Sequence, residues 1–272
     1  MDLPGITEVA DARPVVWRAG DAWRAGDAWL AGGTWLFSEP QPGLSRLLDL
    51  RAFGWPALQA GPDGLEIAAT CTLAELSRLR APQWRATPLI GQCCHALLGS
   101  FKVWNAATVG GNLCLALPAG PMISLTAALD GVCTIWNTAA APRRVPVADF
   151  VTGAGRNVLA PGELLRSIQL PAGALGCQTA YRQISLSPFG RSAALVIGRR
   201  SPADGSVVIT LTAATVVPVQ LRFAGLPSAD DVLTALAAAE PRYHDDVHGS
   251  PAWREAMARR LAVEVRAEMA AS

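Results

Sequence analysis

The stretch ATVGGNLCLALPAGPM, Ala107 to Met122, sets Gly110, Gly111 and Asn112 between two short apolar runs, the second carrying two prolines. Adjacent glycines strip two side chains from a backbone that something must approach closely. A second doublet lies in LAGGTWLF, Leu30 to Phe37. A single Gly-Gly is most often only a turn. Without Cβ atoms, however, backbone N–H groups can point into a concavity and meet phosphate oxygens directly. Each charge-assisted bond of that kind contributes on the order of 1.5–3 kcal/mol. Two such loops, one closed by Thr34 and the other by Asn112, could hold both phosphates of a dinucleotide.

Outward from these loops the chain alternates short strands and helices. WLAGG predicts a strand ending in a tight glycine turn, and RLLDL, Arg46 to Leu50, the next strand. LEIAATC is a further strand, followed by the helix TLAELSRL, whose Thr72 and Glu75 have capping-box spacing. The span Trp84 to Leu98 predicts a helix with Leu89, Ile90, Cys93, Cys94, Leu97 and Leu98 on its apolar face, and its lone His95 reads as a satisfied core residue. AALDGVCTIWN reads as helix end, turn and strand, and SVVITLTAATVV as two β-rich runs. Ser228 and Asp231 cap one late helix; Ser250 and Pro251 start the last. The units therefore read as α/β for residues 1–54, α+β for 55–172 and α+β for 173–272. RAGDAWRAGDAW, Arg18 to Trp29, duplicates six residues, too short a period for a solenoid.

Bulk properties exclude several classes. The 272 residues are 51% apolar and 17% charged, with a net charge of +1, so neither disorder nor an electrostatic case for nucleic acid follows. No run approaches the ~20 apolar residues of a membrane span, and no secretory pattern opens the chain, which points to the cytoplasm. Cys71, Cys93, Cys94, Cys114, Cys133 and Cys177 lack paired C-x-x-C spacing and read as free thiols rather than cluster or metal ligands. Lys102 is the sole lysine and no glycine loop precedes it, so there is no Walker A motif. GAGRNV fails the G-x-G-x-x-G pattern at its last position. HDDVH, His244 to His248, could suggest a metal, but a solvated loop before a proline-started helix is the plainer reading.

LAGGTWL, LLDLRAF, LEIAATCTLAEL and NAATVGGNLCLALPAGP resemble, in order and spacing, the flavin-binding medium subunit of molybdenum hydroxylases. That family includes the carbon monoxide dehydrogenase medium subunits and the FAD domain of xanthine dehydrogenase. FVTGAGRNVLAPGELLRSIQLP, TAATVVPVQLR and DDVHGSPAWREAMARRL resemble its C-terminal flavoprotein domain. The resemblance implies an α+β, two-subdomain (PCMH-like) FAD-binding fold followed by a small C-terminal α+β domain. It implies FAD with its pyrophosphate on Ala31, Gly32, Gly33 and Thr34 and on Thr108, Gly110, Gly111 and Asn112, and Arg182 near the isoalloxazine. It further implies an oxidoreductase subunit of a heterotrimer. Its partners would be a small [2Fe-2S] subunit and a large subunit carrying the molybdenum cofactor, with FAD passing electrons to an external acceptor.

The sequence departs from that family at Trp35, where a polar residue commonly follows A-G-G-T, and at Leu117 and Pro121, near the place of an aspartate that binds the flavin's sugar-like chain. Trp104 stands where an arginine is common, and Ala193 where an aromatic precedes A-L-V, with Phe189 as an alternative. These changes leave open a second reading: a flavin-free structural or assembly subunit of the same kind of complex.

Overall fold

A computed structural model describes residues 5–17, 23–137 and 140–271. The first half of the duplicated hexapeptide falls largely outside them. Strand β1 (Glu8–Asp11) leads through helix α1 (Arg13–Trp17) to β2 (Asp27–Leu30) and β3 (Arg46–Asp49). These form a parallel sheet in the order β1-β3-β2. The central strand carries Leu47 and Leu48, both fully buried, as a strand covered on two faces requires. Asp27 and Arg46 face each other across β2 and β3, with Arg46 Nε and Nη2 donating to the carboxylate at 2.8 and 2.6 Å. The paired guanidinium holds the Asp27 carboxyl below its usual range.

The chain continues through β4 (Leu58–Gly61), β5 (Gly64–Ala68), α2 (Leu73–Ser77), α3 (Thr87–His95), α4 (Phe101–Trp104), α5 (Val109–Leu115) and α6 (Pro121–Ala128). It then runs through β6 (Val132–Trp136), β7 (Arg143–Pro146), α7 (Val147–Phe150), β8 (Val151–Gly153), β9 (Arg156–Asn157) and β10 (Leu164–Pro171). Five of these strands form an antiparallel sheet in the order β4-β5-β10-β6-β7, so β10 returns to the middle after the helices. Thr72 caps α2 in a complete capping box with Glu75, as its spacing predicts. The predicted helix 84–98 is shorter, running from Thr87 to His95 with Pro88 in its first turn. Leu89, Ile90, Cys93 and Cys94 are buried, whereas Leu98 is exposed beyond the helix end. His95 is also exposed, its ring 5.1 Å from that of Trp104, and is not a core residue.

The last part contains α8 (Ala172–Leu175), β11 (Gln178–Ile184), β12 (Ala194–Arg200), β13 (Val207–Thr212), β14 (Val219–Phe223), α9 (Ala229–Ala238) and α10 (Pro251–Ala271). The four strands form an antiparallel meander. The second β-rich run predicted within 206–217 is not a ladder strand, since β14 begins only at Val219. Helix α6 is buried at all eight residues, and Ser124 and Thr212 share a 2.6 Å hydroxyl contact that satisfies both in the interior. Among the described residues no helix is long and apolar enough to cross a membrane.

Candidate functional site

A cavity of about 540 Å³ is lined by both glycine loops and by the last part of the chain. That volume lies within the range of small-molecule and cofactor sites. Ala31 to Leu36 line it from the end of β2, Thr108, Gly111 and Asn112 from the start of α5, and Leu117 to Pro121 from the link into α6. Arg191, Ser192, Ala213, His244, Asp246, His248 and Arg254 close the remaining side.

The two doublets have different physical causes. At the first, Gly33 adopts φ +71°, a left-handed backbone that disfavours side chains. A Cβ at Gly32 would stand 1.7 Å from the Ala106 carbonyl oxygen, so this loop packs directly on the segment before α5. The amides of Gly32, Gly33, Thr34, Trp35 and Leu36 donate to no acceptor among the described residues. A row of undirected N–H donors therefore lines one wall of the cavity.

At the second doublet the donors are already used. Val109 N donates to Cys71 O at 2.8 Å and Gly110 N to Ala69 O at 3.0 Å. Gly111 N donates to the Thr108 side chain at 3.0 Å, and Asn112 N to Thr108 O at 3.0 Å. Thr108 is the N-cap of α5 in the ordinary sense. Gly110 is buried, absent from the cavity wall, and a Cβ there would lie 2.5 Å from that of Ala69. What approaches Gly110, expected to be a phosphate ligand, is the end of β5. Gly111 does face the cavity, where a Cβ would meet only Thr108 Oγ1 at 2.9 Å. Asn112 Oδ1 accepts from Met122 N at 3.0 Å and tethers α6 to α5, which leaves the two Nδ2 donors.

Arg182, expected near the isoalloxazine, is engaged elsewhere. It lies on β11 and pairs with Glu264 at 3.6 Å and with Glu268, both on α10. It does not line the cavity. The basic groups that do are Arg191 and Arg254. Arg254 is 1% exposed and acts as a clamp. Its guanidinium donates to the carbonyls of Gly249 (3.0 Å), Ala193 (2.6 Å) and Ala213 (2.7 Å) and to Asp246 Oδ1 (2.5 Å). One buried cation thus fixes three cavity-forming turns at once. Burial opposes ionisation of Asp246, but the His248 amide and Arg254 outweigh it and hold the carboxyl below its ordinary range. His244 Nε2 stands 3.3 Å from the other carboxylate oxygen.

The HDDVH segment is therefore part of the cavity wall and not merely a solvated loop. Its signal was invisible along the chain, because the His244 backbone N–H donates to the carbonyl of Ala214, 30 positions away in sequence. Among the described residues no cluster of three or more His, Cys, Asp or Glu is disposed to hold a metal. Cys114 also lines the cavity, with burial pushing its thiol up to about 12, so it stays protonated and unreactive.

Several known proteins share this fold or parts of its sequence. The chain aligns with quinoline 2-oxidoreductase from Pseudomonas putida 86 at 21% identity and TM-score 0.80, covering 98% of each chain. CO dehydrogenase from Oligotropha carboxidovorans aligns at 21% identity and TM-score 0.81, covering 98% of this chain and 99% of that one. In sequence, xanthine dehydrogenase 1 of Arabidopsis thaliana is 29% identical over 122 residues, and xanthine dehydrogenase of Oryza sativa subsp. japonica 31% over 121. Each alignment covers 42% of this chain but only 9% of the relative's length. Residues 23–173, more than half of the chain, match the family described as FAD binding domain in molybdopterin dehydrogenase, and the chain belongs to that family.

Proposed function

We propose that this chain binds FAD in the cavity and serves as the electron-transfer subunit of a heterotrimeric molybdenum hydroxylase. The observation that carries the reading is the row of undirected amides from Gly32 to Leu36 on the cavity wall. Such donors suit a diphosphate, whose oxygens accept several N–H bonds at once. Ala31, Gly32, Gly33 and Thr34 hold it through the backbone, with the Thr34 hydroxyl beside them. Gly111 supplies clearance, and the side chains of Thr108 and Asn112 supply contacts from the opposite wall. Leu117, Pro121 and Trp35 offer apolar surface to the rest of the cofactor.

When bound, FAD supplies two-electron and one-electron redox chemistry, and the protein supplies binding, orientation and shielding from water. In this reading electrons arrive from a small [2Fe-2S] subunit, originate at a molybdenum cofactor in a large subunit, and leave to an external acceptor in the cytoplasm. Three units, divided near residues 54 and 172, build the cavity between them.

Leu117 and Pro121 on the cavity wall, together with the self-satisfied amides of the second loop, favour the alternative of a flavin-free structural subunit. Titration of flavin-stripped protein with FAD, followed by absorbance and fluorescence, separates the two. Saturable binding with partial retention through purification is expected; no binding at millimolar FAD in the assembled complex would leave the structural reading standing.

A further inference from the structure

Behind the cavity wall lies a hydrogen-bonded file that the cofactor reading does not use. Tyr181 Oη donates to Gln183 Oε1 at 2.5 Å, and Gln183 Nε2 donates to Ser192 Oγ at 2.9 Å. Tyr181 and Gln183 are two apart on β11 and share one face, the one turned away from Arg182. Ser192 is only 2% exposed yet lines the cavity. Its backbone is fixed on the C-terminal side, where Ala193 N donates to Ile184 O at 2.9 Å and Ala193 O accepts from Arg254. Burial pushes the Tyr181 phenol well above its ordinary range, so it remains an O–H donor at any working pH.

The polarity of this file follows from its chemistry. A carboxamide oxygen only accepts, so Tyr181 must donate to it. The carboxamide nitrogen only donates, so Ser192 Oγ must accept from it. The Ser192 hydroxyl hydrogen has no acceptor among the described residues and is left for the cavity. A buried donor without an acceptor costs the desolvation of that group, which a bound molecule would recover.

Resting on the FAD reading above, we propose that Tyr181 and Gln183 are positioning residues that aim the Ser192 hydroxyl at a neutral acceptor, a carbonyl or ring nitrogen, on the isoalloxazine. The phosphates have their donors on the Gly32–Leu36 loop, which is built by a different part of the chain. The Ser192 side of the cavity is where the polar groups of the last part converge, with Arg191 and His244 beside it. The polar edge of a flavin ring supplies an acceptor to match.

The test compares FAD, FMN and ADP binding by the flavin-stripped wild type with that of Ser192→Ala, Ser192→Thr, Tyr181→Phe and Gln183→Glu. Ser192→Ala is expected to weaken FAD and FMN binding roughly two- to tenfold, the worth of one net hydrogen bond, and to shift the visible band of the bound flavin. Ser192→Thr keeps the hydroxyl and should restore both. The carboxylate introduced by Gln183→Glu can only accept, which turns the Ser192 hydroxyl away from the cavity. It should reproduce the Ser192→Ala spectrum with Ser192 intact. Tyr181→Phe frees the carboxamide and should give a smaller shift in the same direction. ADP affinity should be unchanged throughout. Wild type that binds FAD while Ser192→Ala leaves affinity and spectrum untouched would overturn this assignment alone. An equal loss of ADP affinity would place the donor at the adenine half and also overturn it. Wild type that binds no FAD would overturn both readings.

Discussion

The two glycine doublets look equivalent along the chain and are opposites in the fold. The loop at Ala31–Leu36 leaves the five amides from Gly32 to Leu36 undirected, whereas the four amides from Val109 to Asn112 are all spent on the protein itself. At Gly110 the close visitor is Ala69 of the neighbouring strand. At Gly33 the requirement is conformational, a left-handed turn in a loop whose residues line the cavity. The same two letters thus mark a packing contact in one place and an open donor surface in the other. A doublet is a ligand loop only when its N–H groups have nowhere else to go.

The contrast is most severely tested at Gly110. Gly110→Val adds a branched side chain 2.5 Å from the Ala69 Cβ, where both neighbours are backbone-bound and cannot retreat. We expect a loss of about 3 kcal/mol, the upper end for overpacking, read as a lowered denaturant midpoint in protein without flavin. A Gly110→Val chain of wild-type stability that fails to hold FAD would make the second loop a ligand loop after all.

The open loop rests on a platform that can be weakened separately. Trp29 Nε1, next to that loop on β2, donates to Glu163 O at 2.8 Å. The Glu163 carboxylate in turn accepts from Arg143 Nε at 2.9 Å and Nη2 at 2.6 Å and from Ala160 N at 2.9 Å. The Arg143 pair, against the opposing cost of burial, lowers its carboxyl from 4.5 to about 2. A depressed carboxyl contributes stability that is complete above its unfolded value and disappears as pH falls through the folded one. Glu163→Gln should therefore cost roughly 1–2 kcal/mol at neutral pH, with Arg143 partly exposed and its share screened. The gap between wild type and Glu163→Gln should close between about pH 4.5 and pH 2. A gap that is constant across that window would remove the ion pair from the account.

Thr108→Val addresses the cap that makes the second loop self-sufficient. It keeps the shape but removes the oxygen that accepts from Gly111 N. We expect destabilisation of about 1 kcal/mol in thermal or denaturant unfolding, and at most a few-fold loss of FAD affinity from the hydroxyl's own contact. Unchanged stability with abolished FAD binding would reverse the comparison between the loops.

What was legible in the sequence had its partners close by. The Thr72–Glu75 and Ser228–Asp231 boxes, and Ser250 before Pro251, form within one helical turn, so spacing alone determined them. The α+β class followed from alternating short apolar runs. Of the two doublets expected to face a ligand, Gly32, Gly33 and Gly111 line the cavity. Gly110 could not be separated from Gly111, since the difference is made by Ala69, which lies 41 positions away across three helices. The surroundings of Arg182 were hidden for a related reason. Its face of β11 is set by pairing with β12 and by the docking of α10, and the carboxylates that claim it, Glu264 and Glu268, come at the far end of the chain. Arg254 and the HDDVH loop carried no local motif for a cavity wall, because the carbonyls that Arg254 gathers belong to turns 41 and 61 positions away.

The smallest expected change in stability falls on Gly111, and its smallness is what makes it informative. Gly111 is exposed, lies in an α-helical first turn, and an added Cβ would meet only Thr108 Oγ1 at 2.9 Å. That oxygen is the tip of a side chain and can shift by a few tenths of an ångström. Alanine also forms helix better than glycine, by up to about 1 kcal/mol, which offsets the crowding. Gly111→Ala should thus unfold within roughly 0.5 kcal/mol of wild type, whereas Gly110→Val should not. Any loss of FAD affinity in Gly111→Ala then reports occupancy of the space in front of α5 and not damage to the fold. Calorimetric titration with FAD and with ADP gives the answer directly. Weakening of both ligands places the shared diphosphate against this wall as well as on the Gly32–Leu36 amides, and no weakening of either assigns the diphosphate to the first loop alone.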